Sequence, residues 1–232
     1  MPKLEKRPKS PPRNARPKLR FPHDFGLSLV LLGLFLALAT AQTFVGHAAL
    51  NSDLQQHGMP PISYPAFFHT GICWESLSEN WESEFLEMGA FVWLTSFLYQ
   101  RGSPESDDPD QPSRHEKCAL TPRSPWPARR GGWIRALYSR SLSLAFLVLF
   151  LVSFAIHALA GTGEYNRQQL LHGQPAVSAW QFLGTSNFWF QSLQNWQSEF
   201  LGIASMVLLS IWLRQERSAE SKPVNAPHVE NE

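Results

Sequence analysis

Two runs of the chain, residues 27–46 and 142–161, are each 20 residues long and almost free of ionisable groups. The first has no charged residue, and the second has only His157. At 1.5 Å rise per residue, a helix of that length covers about 30 Å, the thickness of a bilayer's hydrocarbon core. Each run therefore predicts a transmembrane helix. The basic flank of the first, with Ala39-Thr40-Ala41 near its end, also fits a cleaved secretory signal. The second run has the same design but lies mid-chain, which favours spanning for both.

Two shorter apolar runs follow them, Phe85–Leu98 and Phe200–Leu213. Alone they reach about 21 Å, short for a crossing and compatible with a buried soluble helix. Counted back to Trp81 and Trp196 they reach about 27 Å, and tryptophan suits the membrane interface. Spans over about 81–99 and 196–214 are expected.

Shifting the sequence by 115 residues aligns 26–106 with 141–221 without a gap, with 29 identities in 81 positions. His57-Gly58 matches His172-Gly173, and Pro60 matches Pro175. The densest match is Asn80-Trp81-Glu82-Ser83-Glu84-Phe85-Leu86 against Asn195-Trp196-Gln197-Ser198-Glu199-Phe200-Leu201. Shared leucine follows from composition, but a shared Asn-Trp-x-Ser-Glu-Phe-Leu does not, and the pattern reads as a duplication. Each unit holds an even number of spans, so both units cross in the same sense, as parallel repeats do.

The expected fold is an all-α membrane protein, with four transmembrane helices arranged as two tandem helical hairpins. Its parts are a basic disordered tail (1–25), repeat 1 (26–106), a linker (107–140), repeat 2 (141–221) and a tail (222–232). Spans one and three should continue as helices to His57 and His172, where Gly58 and Gly173 stop them. Helices two and four should start near Thr70–Trp74 and Ser186–Trp189 and pack together, leaving helices one and three to lipid.

Charge sets the orientation. Residues 1–20 carry eight Lys/Arg, 100–141 carry eight and the tail after Leu213 three, whereas the intervening loops carry only Arg167. The positive-inside rule then places both termini and the linker in the cytoplasm. Cys73 falls outside and Cys118 inside, so they cannot pair with each other, although Cys73 could pair between molecules. With 2 Cys and a formal charge of +1, a disulfide scaffold and a basic nucleic-acid binder are both excluded.

No Walker loop, nucleophile elbow, HExxH or paired CxxC is present, so no enzyme activity, cofactor or metal is indicated. The candidate polar site is the repeated segment. On a helix Asn80 and Glu84 share a face at i and i+4, as do Asn195 and Glu199. Each glutamate sits at the threshold of the hydrocarbon, where an unpaired charge costs several kcal/mol. Three readings stay open: a shared cavity between helices two and four that holds a proton or cation, a stripe facing water or headgroups, and a contact between subunits. Gly89 and Gly202 would allow the close approach the last requires. Trp74, Trp81, Trp133, Trp189 and Trp196 are expected as interfacial anchors. His57 and His172 read as helix-end residues, and His157 as a member of an interhelical hydrogen bond.

The doubled Asn-Trp-x-Ser-Glu-Phe-Leu, the matched His-Gly-x-Pro and the Arg130-Gly-Gly-Trp133 stretch before span three resemble a family of bacterial integral-membrane proteins known only as a domain of unknown function. The resemblance implies a multi-pass protein of the bacterial plasma (inner) membrane and brings no substrate. Glu82, where the second copy has Gln197, departs from the repeat.

The expected function is a structural or interaction protein of the cell envelope, with the lipid bilayer as partner and no nucleic acid. The alternative is a small proton, cation or solute transporter or channel using Glu84 and Glu199, for which four short spans would need a homo-oligomer. A membrane enzyme acting on lipid or quinone rests on the polar-aromatic outer face alone.

Overall fold

A computed structural model describes residues 23–110 and 119–229. Nearly all of the expected basic tail (1–25), the centre of the linker and Cys118 lie outside the described residues. Among the described residues all regular structure is helical. The main elements are α1 (Gly26–Gln56), α2 (Tyr64–Phe67), α3 (Gly71–Leu94), α4 (Trp126–Arg130), α5 (Gly132–Tyr138), α6 (Ser141–Leu171), α7 (Ala179–Leu183) and α8 (Ser186–Leu209).

The long helices come in matched lengths, 31 residues for α1 and α6 and 24 for α3 and α8. Local bonds also recur 115 residues apart. Asn51 and Ile62 exchange two hydrogen bonds, and Asn166 and Val177 exchange the same two. The Trp74 indole donates to the Phe68 carbonyl at 2.8 Å, and Trp189 to the Leu183 carbonyl at 2.9 Å. Both long apolar helices end in one motif. Gly58 and Gly173 take φ of 70° and 68°, while Met59 and Gln174 donate back to Leu54 and Gln169. Glycine is suited there because a Cβ disfavours the left-handed conformation. His57 and His172 are the C-caps, each ring bonded to the carbonyl four residues earlier.

Among the described residues two helices, α1 and α6, are long and apolar enough by length and composition to cross a membrane, where four were expected. At 24 residues, α3 and α8 reach about 36 Å, but α3 carries five glutamates and the first half of α8 is rich in Ser, Asn and Gln. They also stop at Leu94 and Leu209, short of the expected 99 and 214. The Thr95 and Ser96 hydroxyls bond back to the Phe91 and Trp93 carbonyls, satisfying groups that a longer helix would have used. Ser210 does the same toward Val207.

The packing differs from expectation as well. Helix α3 lies along α6 for most of its length and meets α8 more locally, while α1 touches α3 lightly. Glycine explains the choice of partner. A Cβ on Gly71 would sit 2.5 Å from the Ala160 carbonyl oxygen and 2.8 Å from the Glu164 nitrogen, so the α3 and α6 backbones nearly touch. At the other end of the pair Gly89 faces Phe146, whereas Gly202 faces nothing within 4 Å and mediates no close approach. The buried face of α6 runs through Ser153, His157, Ala158, Gly161 and Glu164, one stripe at helical spacing.

Large apolar side chains cover the rest of α1 and α6 without protein neighbours. Leu27, Val30, Leu34, Leu38, Leu147 and Leu151 are about half exposed or more. Cys73 is 1% exposed, which corrects the idea that it could pair between molecules. At the linker end of the bundle Ser103 bonds Ser210 at 3.1 Å, and the tail folds back so that Lys222 donates to the Pro227 and His228 carbonyls. Residues 222–229 of the tail are thus partly packed.

Candidate functional site

Between α3, α6 and α8 the core is polar. Glu82 and His157 are both fully buried, and one Glu82 oxygen lies 2.7 Å from His157 Nδ1. The other Glu82 oxygen accepts the Trp196 indole N–H at 2.9 Å. Phe188 stacks on the His157 ring at 4.7 Å. Two turns of α3 toward the loop end, Glu75 accepts a hydrogen bond from Gln191 Nε2 at 3.0 Å. Gln191 also reaches His157 Nε2 at 3.5 Å, so a chain of polar groups joins Glu75 to Glu82. A buried carboxylate is tolerable only when its oxygens are satisfied, and both Glu82 oxygens are.

Glu75 leads to a cavity of about 240 Å³ lined by Glu79, Glu164, Gln168, Asn187 and Gln191. Glu75 lies on the loop side of the expected span 81–99. Burial pushes its carboxyl up to about 7, the Gln191 hydrogen bond opposing and the Glu164 charge adding to the shift. Burial also raises Glu79. At the rim Arg167 donates three hydrogen bonds to Glu164 and one, at 2.9 Å, to Asp53 of α1. The Glu164 bonds are the main cause of a rise in the Arg167 pKa. Arg167, expected in a loop but lying on the last turns of α6, thus ties α6 to α1. Among the described residues no three His, Cys, Asp or Glu side chains gather as a metal site.

The residues singled out from sequence lie elsewhere. Asn80 is exposed and donates to the Ser76 carbonyl of its own helix rather than to Glu84. Glu84 is exposed and Glu199 half-buried. The Asn195 carbonyl accepts from Ser198, as the Asn80 carbonyl does from Ser83. The 240 Å³ cavity is lined by neither Glu84 nor Glu199. Trp133 is exposed on α5, and Trp81 packs on Phe35 just as Trp196 packs on Phe150, at 6.2 Å each. His157 does make the interhelical bond expected of it.

Apart from Trp196, which matches Trp81, the network is built from positions where the two aligned segments differ, and from the sequence only the interhelical bond of His157 was expected. Glu82 aligns with Gln197, His157 with Gln42, Glu75 with Phe190, Gln191 with Ser76 and Arg167 with Ser52. The signal lay in the mismatches of the repeat, whereas sequence reasoning followed the identities.

Fold and core together define an all-helical protein with two membrane-length apolar helices and a buried acid–histidine core. The chain belongs to the family described as a domain of unknown function (DUF6766), which matches residues 18–232. No curated protein and no solved structure matches it.

Proposed function

We propose that the chain is a multi-pass protein of the bacterial inner membrane and serves as a structural or interaction protein of the cell envelope. In this reading α1, α3, α6 and α8 all cross, two duplicated hairpins run in one sense, and both termini and the linker are cytoplasmic. The wide uncovered apolar faces of α1 and α6 support a lipid environment. The Lys/Arg asymmetry supports the orientation.

One observation favours this role over transport. Every ionisable side chain of the four long helices lies at Glu87 or nearer the loop end, and the linker-side stretches 26–46, 88–94, 141–156 and 200–209 contain none. Protons and cations need polar groups along their path, and here the path stops partway. The Glu82–His157 core therefore faces the outside as a closed end and holds helices from both repeats in one register.

Two measurements test the reading. Membranes washed in alkali should retain the protein, and reporter fusions should place the linker inside and the 57–70 and 172–185 loops outside. Purified protein in liposomes loaded with a pH-sensitive dye should give no proton or cation flux. Flux lost in Glu82→Gln would replace the structural role with transport.

A further inference from the structure

On the linker side of the core, α3 and α6 border a long groove of about 1010 Å³, at the top of the range of about 300–1,000 Å³ typical of ligand pockets. Its body is apolar, walled by Leu86, Ala90, Phe91, Leu144, Leu147 and Phe150. Its mouth is not, since Ser96, Ser139, Arg140 and Ser143 meet there, where α3 ends and α6 begins. The groove thus has one polar end and one greasy body, the division found in a phospholipid.

The charge at the mouth decides which phospholipid. Arg140 is exposed, and among the described residues its guanidinium meets no carboxylate. The helices leading into it, α4 and α5, carry Arg129, Arg130 and Arg135 with no acidic residue. They also carry Trp126 and Trp133, 55% and 74% exposed, with Arg130 lying 5.5 Å from the Trp126 ring centroid. Tryptophan and arginine side by side on short exposed helices suit the headgroup layer, where basic clusters attract anionic lipid. A guanidinium can also bind two phosphate oxygens at once.

The geometry points to a binding site for one anionic phospholipid of the cytoplasmic leaflet, its acyl chains in the α3–α6 groove and its phosphate on Arg140. The inference rests on the membrane reading proposed above.

The test uses the full chain in nanodiscs of dioleoylphosphatidylcholine doped with dioleoylphosphatidylglycerol, followed by native mass spectrometry of the released protein. The wild type should carry phosphatidylglycerol about tenfold above its share of the bilayer. Arg140→Gln should lower that enrichment about tenfold, the loss expected for one charge-assisted contact. Ala90→Trp, which fills the groove, should remove bound lipid of either kind. Lipid carried in proportion to the bilayer, an Arg140→Gln protein that still enriches phosphatidylglycerol, or a dimer mass without lipid would each overturn the site. Alkali washing of the same membranes separates the outcomes: retained protein with no enriched lipid sinks the site alone, and released protein sinks the membrane reading.

Discussion

Glu82 of α3 and His157 of α6 meet at 2.7 Å with neither side chain exposed, and they come from the two segments, 26–106 and 141–221, that align with each other. Their aligned counterparts, Gln197 and Gln42, form no such pair, and Gln42 donates instead to the Ser76 carbonyl. In a chain doubled without change the two copies would offer the same groups to each other. A carboxylate on one and an imidazole on the other make the α3–α6 contact unlike any other in the bundle. This specifies which helix of one copy packs on which helix of the other.

That specification has an energetic signature. Replacing His157 with Leu leaves Glu82 with the Trp196 indole alone and should cost about 3–5 kcal/mol of stability, the usual penalty for stranding one member of a buried pair. Replacing both, Glu82→Leu with His157→Leu, should cost less than the two single changes added together, with a coupling of about 1–3 kcal/mol. Thermal unfolding of the four proteins in one detergent measures the cycle. Strict additivity would mean that the two groups are neighbours without being partners.

Glycines give a second contrast. Gly71→Ala puts a methyl group against the α6 backbone and should destabilise by about 1–3 kcal/mol, because neither backbone can yield alone. Gly202→Ala meets nothing within 4 Å and should stabilise by about 0.5–1 kcal/mol through helix propensity. Melting midpoints of opposite sign check the pair. A loss at Gly202 would reveal a contact that the single chain does not make.

Helices α1 and α6 and their ends were legible because they depend on local chemistry. Uncharged runs set α1 and α6, and a His-Gly-x-Pro at the same offset in each aligned segment set their ends. Partner choice was not legible. The glutamates and asparagines on α3 allowed several helix faces, and the identity of Asn80 with Asn195 and of Glu84 with Glu199 drew attention to them. The contact that orders the bundle needs groups that complement each other, and complementarity between copies of one sequence requires difference. Backbone proximity at Gly71 is also invisible in one dimension, since nothing in the sequence says that Gly71 meets Ala160 and Gly163. The early stops at Leu94 and Leu209 came from hydroxyl back-bonding, which competes with an apolar run that continues for several residues.

Arg167 should matter more than Arg101. It binds Glu164, which is 5% exposed, and bridges to Asp53 on α1, whereas Arg101 and Asp110 pair in the open. Arg167→Gln should lose about 1–3 kcal/mol, since hydrogen bonds to charged groups are among the stronger ones. Arg101→Gln should leave the melting midpoint where it is. Added salt should do little to the Arg167 effect, because the Glu164 side of the bridge is buried. An equal response of both variants would make the bridge an ordinary surface pair.

Glu75 gives the fold a pH dependence of definite sign. Its carboxyl titrates near its ordinary 4.5 when the chain is unfolded and near about 7 when burial holds it between α3, α6 and α8. Between those values the folded protein holds the extra proton, so stability falls as pH rises from about 4.5 to about 7 and the loss is complete above that. The slope contributed by this group is at most about 1.4 kcal/mol per pH unit. Glu164, Glu79 and His157 surround the same carboxyl, so the total profile belongs to all of them, but the difference between two proteins isolates Glu75. Glu75→Gln keeps an oxygen for Gln191 to bond and removes the charge. Its melting midpoint should exceed that of the wild type at pH 8, and the gap should close as pH falls toward 5. Parallel profiles across that window would mean that Glu75 is ionised in the folded protein, with the cavity supplying enough water to keep it so.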